Sequence, residues 1–222
     1  AEEGRDMAYE AAIFDLDGTL LDTLDDLHAS VNHALSSEGL PGRSKGDVRS
    51  FLGNGVARLI HLSVPEGTPE PQEARALATF RAHYARHNAE RTAPYPQVKE
   101  LLRVLSGEGV LRAVVSNKPD PAVQDLVAAY FGGLFDAVVG ERPDVRRKPA
   151  PDSLLAVMSQ LGCRPEQVVY VGDSEVDLQT ARNAGVDCIT VSWGFRDVGW
   201  LRAQGATTIV GTTEELAEAI LF

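Results

Sequence analysis

The chain has 222 residues, 44% of them hydrophobic and 24% charged, enough to bury the core of one large α/β domain or of one domain carrying an insertion. Lys and Arg number 21 against 32 Asp and Glu, a formal net charge of -11, which gives a nucleic-acid backbone no broad electrostatic reason to bind. Two cysteines, Cys163 and Cys188, are too few for a disulfide framework, and no apolar run nears the roughly 18 residues of a membrane span, so the expectation is a cytoplasmic protein without nucleic-acid or membrane partners.

The opening AEEGRDMAYE has no apolar segment that could serve as a secretory signal, and the six residues before Met7 are set aside. Strand-length apolar runs then occur at Tyr9 to Phe14, Val110 to Val115, Ala137 to Val139, Val168 to Val171, Cys188 to Val191 and Ala206 to Val210. Helical periodicity separates most of them. Val98, Leu101, Leu102 and Leu105 stand at i, i+3, i+4, i+7, and Val123, Leu126, Val127 and Tyr130 repeat the pattern behind Asp120-Pro121, read as N-cap and N1. Thr212 and Glu215 suit a capping box for a last helix. Apolar strands alternating with amphipathic helices predict a doubly wound, mostly parallel α/β sheet covered on both faces.

The first crossover breaks this rhythm, because 95 residues lie between Phe14 and Val110 where a βαβ unit needs about 30. Leu24, Leu27, Val31 and Leu35 form one helical face, Ser44 opens another helix with Asp47 at N3, and Leu77, Phe80 and Tyr84 mark a third. The expected organisation is an α/β core over 7–22 and 93–222, with an all-helical insertion over 23–92. Ala93-Pro94-Tyr95-Pro96 stiffens the return.

In open α/β sheets ligands bind beyond the carboxyl ends of the strands. Asp15-Leu16-Asp17-Gly18-Thr19 follows the first strand and Ser116-Asn117-Lys118 the second. Lys148 lies beyond the third, and Gly172-Asp173-Ser174-Glu175-Val176-Asp177 follows the fourth. Each set alone is ordinary cap or turn chemistry, but four at successive strand ends point to one crevice. The chemistry suits phosphoryl transfer, in which a carboxylate must approach an anion that repels it. Carboxylates of Asp15 and Asp173, with oxygens near Asp17, offer Mg²⁺ the hard ligands it prefers. Lys148 and Ser116 would hold the other phosphate oxygens, and Asp17 suits protonation of the leaving group. Gly18 allows a sharp turn beside the phosphate.

Asp15-Leu16-Asp17-Gly18-Thr19-Leu20 resembles the DxDGT signature of haloacid dehalogenase-type phosphatases, and Ser116, Lys148 and Gly172-Asp173 with Asp177 are similar to the family's later motifs in order. The resemblance implies Asp15 as nucleophile and metal ligand, and Asp17 as general acid/base lending a main-chain carbonyl to Mg²⁺. It further implies Asp173 as metal ligand, Ser116 with Asn117 and Lys148 at the phosphate, Asp177 behind the metal, and the helical insertion as a C1-type cap. Leu52-Gly53-Asn54-Gly55-Val56, Ser116-Asn117-Lys118-Pro119 and Val191-Ser192-Trp193-Gly194-Phe195 resemble the phosphoglycolate phosphatase branch, which implies a small phosphorylated metabolite as substrate. Gly53, Asn54, Gly55 and Arg58 are the expected donors to an anionic leaving group, the alternative being a plain turn between helices.

A β-phosphoglucomutase-like mutase and a pyrophosphatase remain alternatives. A dehalogenase needs neither Asp17 nor Mg²⁺, a phosphonate hydrolase wants a cap lysine where the insertion offers only Lys45, and a silent binding module would not need all four charged groups. His83 and His87, four apart, lack a third ligand and read as a solvated helix face; His28, His33 and His61 offer no better geometry. Cys188 reads as buried and inert. The acidic run Asp22 to Asp26 reads as helix-start chemistry.

Overall fold

The computed structural model describes residues 8–222; Met7, the expected start of the core, lies outside them. Six parallel strands form the main sheet in the order β5-β4-β1-β6-β7-β8. They are β1 (Ala11–Phe14), β4 (Leu111–Pro119), β5 (Ala137–Glu141), β6 (Val168–Gly172), β7 (Asp187–Val191) and β8 (Ile209–Val210). Central β1 pairs with β4 through Phe14 and Val114 and with β6 through Phe14 and Val171. Successive side chains of a strand face opposite ways. Ala12 and Phe14 therefore join the core under α5 (Val98–Gly107), α6 (Asp120–Phe131) and α10 (Thr213–Leu221). Ala11 and Ile13 join the core under α7 (Asp152–Leu161) and α8 (Glu175–Ala184). Both faces are covered, which is why the strands read as apolar runs rather than as alternation.

A second, two-stranded antiparallel ribbon, β2 (Leu21–Asp22) with β3 (Ala93–Pro94), was not visible in the apolar pattern because each of its strands is only two residues long. It brackets four helices: α1 (Leu24–Ser37), α2 (Lys45–Phe51), α3 (Val56–Ser63) and α4 (Glu70–His87). Leu27, Val31, Leu35, Leu59, Phe80 and Tyr84 pack these helices into a cluster of their own. Ser44 and Asp47 form the expected capping box, with Asp47 N–H donating to Ser44 Oγ at 3.0 Å and Ser44 N–H to Asp47 Oδ2 at 3.1 Å. Buried Asp26 ties entry to exit, accepting from the backbone N–H of Arg91 and of Thr92, both at 2.9 Å.

Four local expectations are corrected. The strand after Val110 does not stop at Val115 but runs to Pro119, so Ser116, Asn117 and Lys118 are strand residues. Asp120 is not an N-cap: Pro119 holds that position, and the Asp120 carboxylate reaches across to accept from Gly140 N–H at 2.8 Å. Thr212 caps α10 through Glu215 N–H at 3.1 Å, but Glu215 turns to Gly211 N–H at 2.8 Å, leaving the box half-formed. Cys188 is half-buried rather than fully buried, and burial pushes its thiol up to about 12. His33, His83 and His87 form a stacked column along α1 and α4, with centroids 4.1 and 4.2 Å apart. Among the described residues no helix is long and apolar enough to cross a membrane.

Candidate active site

The carboxyl ends of β1, β4 and β6 open into a chamber of about 570 Å³, counting its open mouth. From the sheet side it is lined by Asp15, Asp17, Ser116, Asn117, Lys148 and Asp173, and from the inserted helices by Leu27, Leu52, Gly53, Gly55, Val56 and Leu59. Asp15 stands one residue past β1, its backbone N–H donating to Val171 O at 2.9 Å, so the β1–β6 pairing aims its side chain beyond the sheet. The chain then reverses at Gly18, whose φ of +81° lies in the left-handed region. A Cβ there would stand 2.2 Å from Asp173 Oδ2. Gly194 meets the same carboxylate from the other side, where a Cβ would lie 2.3 Å from Asp173 Cβ. Glycine at both positions lets the β1, β6 and β7 loops converge on Asp173.

Asp15, Asp173 and Asp177 each offer a carboxylate oxygen within 4.8 Å of the other two, an arrangement able to hold a metal ion. The hydrogen bonds separate their roles. Asp177 Oδ2 accepts from Asp173 N–H at 3.0 Å and from the N–H and hydroxyl of Ser174, both at 3.2 Å. Its Oδ1 takes Lys148 Nζ at 2.9 Å and Tyr170 OH at 3.1 Å. Five donors fill the roughly four lone-pair sites of a carboxylate, so Asp177 has nothing left for a cation. Among the described residues Asp173 accepts only from Thr19 Oγ1 at 3.2 Å and Phe195 N–H at 2.9 Å, one per oxygen. Burial, then Asp177, pushes the Asp15 carboxyl well above the ordinary carboxylate range, and Lys148 offsets only part of this. The same two causes raise Asp173 to about 7. Buried hard oxygens that repel one another fit a divalent cation of the Mg²⁺ type, which would remove the penalty on ionising both.

Lys148, 3% exposed, is surrounded by Tyr170 OH at 2.7 Å, Asp177 Oδ1 at 2.9 Å and Asp15 Oδ1 at 3.2 Å. Burial disfavours its ammonium, but Asp15 and Asp177 outweigh that and hold it above the ordinary lysine range. Ser116 is buried, and its Oγ accepts from Lys118 N–H at 3.1 Å. Asn117 does not present a free amide to the chamber. Its Oδ1 accepts from Lys148 N–H at 2.8 Å, and its Nδ2 donates to Lys148 O at 2.9 Å and to Gly53 O at 3.1 Å. With both amide hydrogens committed, Asn117 positions Lys148 rather than offering its amide to phosphate.

Of the expected leaving-group donors, Gly53 and Gly55 line the chamber, whereas Asn54 does not. Arg58 is exposed and also lies off the chamber. The reason is helical geometry: Val56, Leu59 and Ile60 occupy the buried face of α3, which leaves Arg58 on the opposite one. Besides Lys148, two cations line it: Lys118, which the sequence placed at the crevice without a role, and Arg196, which it did not mark. Lys118 Nζ lies 2.9 Å from Asp17 Oδ1 and also donates to Tyr84 OH. A signal was available for Lys118, because residues two apart in a strand share a face and Ser116 already faced the site. Arg196 binds Glu175 and reaches Leu52 O at 2.6 Å, and Arg49 Nη2 donates to Gly194 O at 3.1 Å. With Asn117 and Lys118 these contacts seat the inserted helices on the strand ends.

The family model described as haloacid dehalogenase-like hydrolase matches residues 12–191. A phosphoglycolate phosphatase from Pseudomonas putida is 34% identical over 204 residues, covering 89% of this chain and 75% of that protein. One from Cereibacter sphaeroides is 40% identical over 189 residues, covering 83% and 85%. Among solved structures, a protein from Lactobacillus delbrueckii subsp. bulgaricus, provisionally named a phosphoglycolate phosphatase, superimposes with a TM-score of 0.92 at 41% identity over 97% of this chain and 99% of its own. The matched span holds every strand end that lines the chamber, and the chain belongs to the haloacid dehalogenase-like hydrolase family.

Proposed function

We propose that this protein is a Mg²⁺-dependent phosphatase that hydrolyses a small phosphomonoester, with 2-phosphoglycolate the best-supported substrate, through an aspartyl-phosphate on Asp15. The observation that carries the proposal is the convergence of Asp15, Asp17, Ser116, Lys148 and Asp173 on one chamber. The names of the relatives support the substrate. A carboxylate oxygen of Asp15 attacks phosphorus as the ester P–O bond breaks, and the departing alkoxide takes a proton from Asp17. Asp17 then accepts a proton from water as that water attacks phosphorus, and the bond to Asp15 breaks to release inorganic phosphate. Lys148, giving up the contact its ammonium makes with Asp15, and the Ser116 hydroxyl bind the phosphoryl oxygens, while Asp177 holds Lys148 and the 173–174 peptide in place. Asp15, Asp173 and the Asp17 main-chain carbonyl would hold Mg²⁺, which supplies the positive charge that lets a carboxylate and a phosphate meet. In this reading 7–22 and 93–222 form the catalytic core and 23–92 a cap that excludes water and limits substrate size.

The test is Mg²⁺-dependent phosphate release across small phosphorylated metabolites, including 2-phosphoglycolate, pyrophosphate and β-glucose 1-phosphate. Turnover of 2-phosphoglycolate, abolished by EDTA and by Asp15→Asn, is expected. Undiminished turnover in excess EDTA, or Asp15→Asn activity within tenfold of the parent, refutes the mechanism. A strong preference for β-glucose 1-phosphate with bisphosphate priming would favour a mutase.

A further inference from the structure

The wall of the chamber opposite the catalytic carboxylates is apolar, built by Leu27, Leu52, Val56 and Leu59. Three cations reach the chamber, and their donors are not equally occupied. Lys148 has three acceptors for its three N–H groups. Arg196 spends four of its five N–H groups, its Nε on Glu175, one of Nη1 on Arg49 O and its Nη2 on Leu52 O and Glu175, and none of these contacts reaches Asp17. Lys118 is 5% exposed and has two described acceptors, Asp17 Oδ1 and Tyr84 OH. Its ammonium lies 4.5 Å from the Tyr84 ring centroid, so the aromatic face and the hydroxyl together hold it beside Asp17.

That position has a stereochemical consequence. Asp17, as proton donor, must meet the ester oxygen that leaves, and Lys118 Nζ is 2.9 Å from Asp17 Oδ1. A carboxylate whose carbon is two bonds from that ester oxygen comes within reach of the third ammonium N–H. We propose that Lys118 is the specificity-determining residue of this site, pairing with the carboxylate of a leaving group that carries it on the carbon next to the ester oxygen. The assignment rests on the phosphatase reading above, and it replaces Arg58 with a cation the fold aims into the chamber. A carboxylate enclosed by Leu52, Val56 and Leu59 without this partner would meet a large desolvation cost, so the pair discriminates against wrong anions as well as for the right one. Tyr84 belongs to α4, which makes recognition depend on the inserted helices being seated.

The experiment compares kcat/KM for 2-phosphoglycolate with that for 2-hydroxyethyl phosphate, whose hydroxymethyl group stands where the carboxylate would be. In Lys118→Met the ratio of the two is expected to fall by about 30- to 100-fold, the size of a lost charged hydrogen bond. The fall should appear chiefly in KM, and the inhibition constant of glycolate should rise in parallel. Lys118→Arg, which keeps the charge, should restore at least a third of the logarithmic loss. Equal loss on both substrates, or an unaltered glycolate constant, overturns the proposal and leaves Lys118 a structural partner of Asp17. Should Lys118→Met fail to fold, Tyr84→Phe removes the anchoring hydroxyl but keeps the ring, and the ratio should drop about threefold; no drop also overturns it. Failure of the functional reading looks different: the parent protein would hydrolyse other phosphomonoesters but not 2-phosphoglycolate.

Discussion

Replacing Asp177 by Asn separates an anchor from a metal ligand, because the change preserves shape and removes charge and one acceptor. Asp177 is 1% exposed, and its two oxygens serve five donors. An Asn amide has one acceptor oxygen. Turned toward Asp173 N–H and Ser174 it sets an NH₂ against Lys148 Nζ; turned the other way it sets that NH₂ against two backbone donors. Either orientation strands at least two buried donors, at about 1–3 kcal/mol each, so the expected loss of stability is about 3 kcal/mol. One term opposes this, since Asp177 helps to raise Asp15 and Asp173, and neutralising it relieves repulsion wherever those groups are ionised. The sign follows from linkage. With Asp173 raised to about 7 in the folded chain, the metal-free fold binds protons more tightly than the unfolded chain and loses stability as pH rises from about 4 to about 7. The deficit of Asp177→Asn should therefore be largest near pH 6, where Asp173 keeps its proton, and smaller at pH 8. Thermal unfolding in EDTA measures it: for a chain of this size about 3 kcal/mol corresponds to a fall in Tm of about 6–12 °C. A loss under about 1 kcal/mol at pH 6, or a deficit that grows toward pH 8, would refute the anchoring role.

Mg²⁺ must displace the proton that Asp173 retains below about 7, so apparent Mg²⁺ affinity should fall up to tenfold per pH unit as the solution is acidified below that point. Titration calorimetry at pH 5.5, 6.5 and 7.5 checks this, and a flat profile contradicts the site. Gly194→Ala places a Cβ 2.3 Å from Asp173 Cβ and 2.4 Å from Gly18 O, neither of which can swing aside. It should cost about 1–3 kcal/mol by overpacking and weaken Mg²⁺ binding at least tenfold; a variant with parental melting and metal affinity would show that the three loops do not meet as described.

The six parallel strands were legible in the sequence because a strand buried on both faces must be apolar throughout, as Val168 to Val171 is. Asp15, Asp17 and Asp173 were legible because a parallel sheet delivers whatever follows its strands to one edge. Of the four inserted helices, α1 and α4 announced themselves through their 3.6-residue periodicity and α2 through its Ser44–Asp47 cap, whereas α3 was not marked and the β2–β3 ribbon, two residues to a strand, carries no period at all. What the sequence could not decide is how each polar group spends its hydrogen bonds, since the partners lie far along the chain. Asn117 finds Lys148 31 residues away, Lys118 finds Tyr84 34 residues away, and Asn117 reaches Gly53 across 64. Those pairings turn Asn117 into a bracket and leave Lys118 facing the chamber, while the single helical rotation between Arg58 and Leu59 carries an arginine out of it. Local periodicity fixes which way a side chain faces within its own element; only the packing of elements determines which donors remain free when they meet.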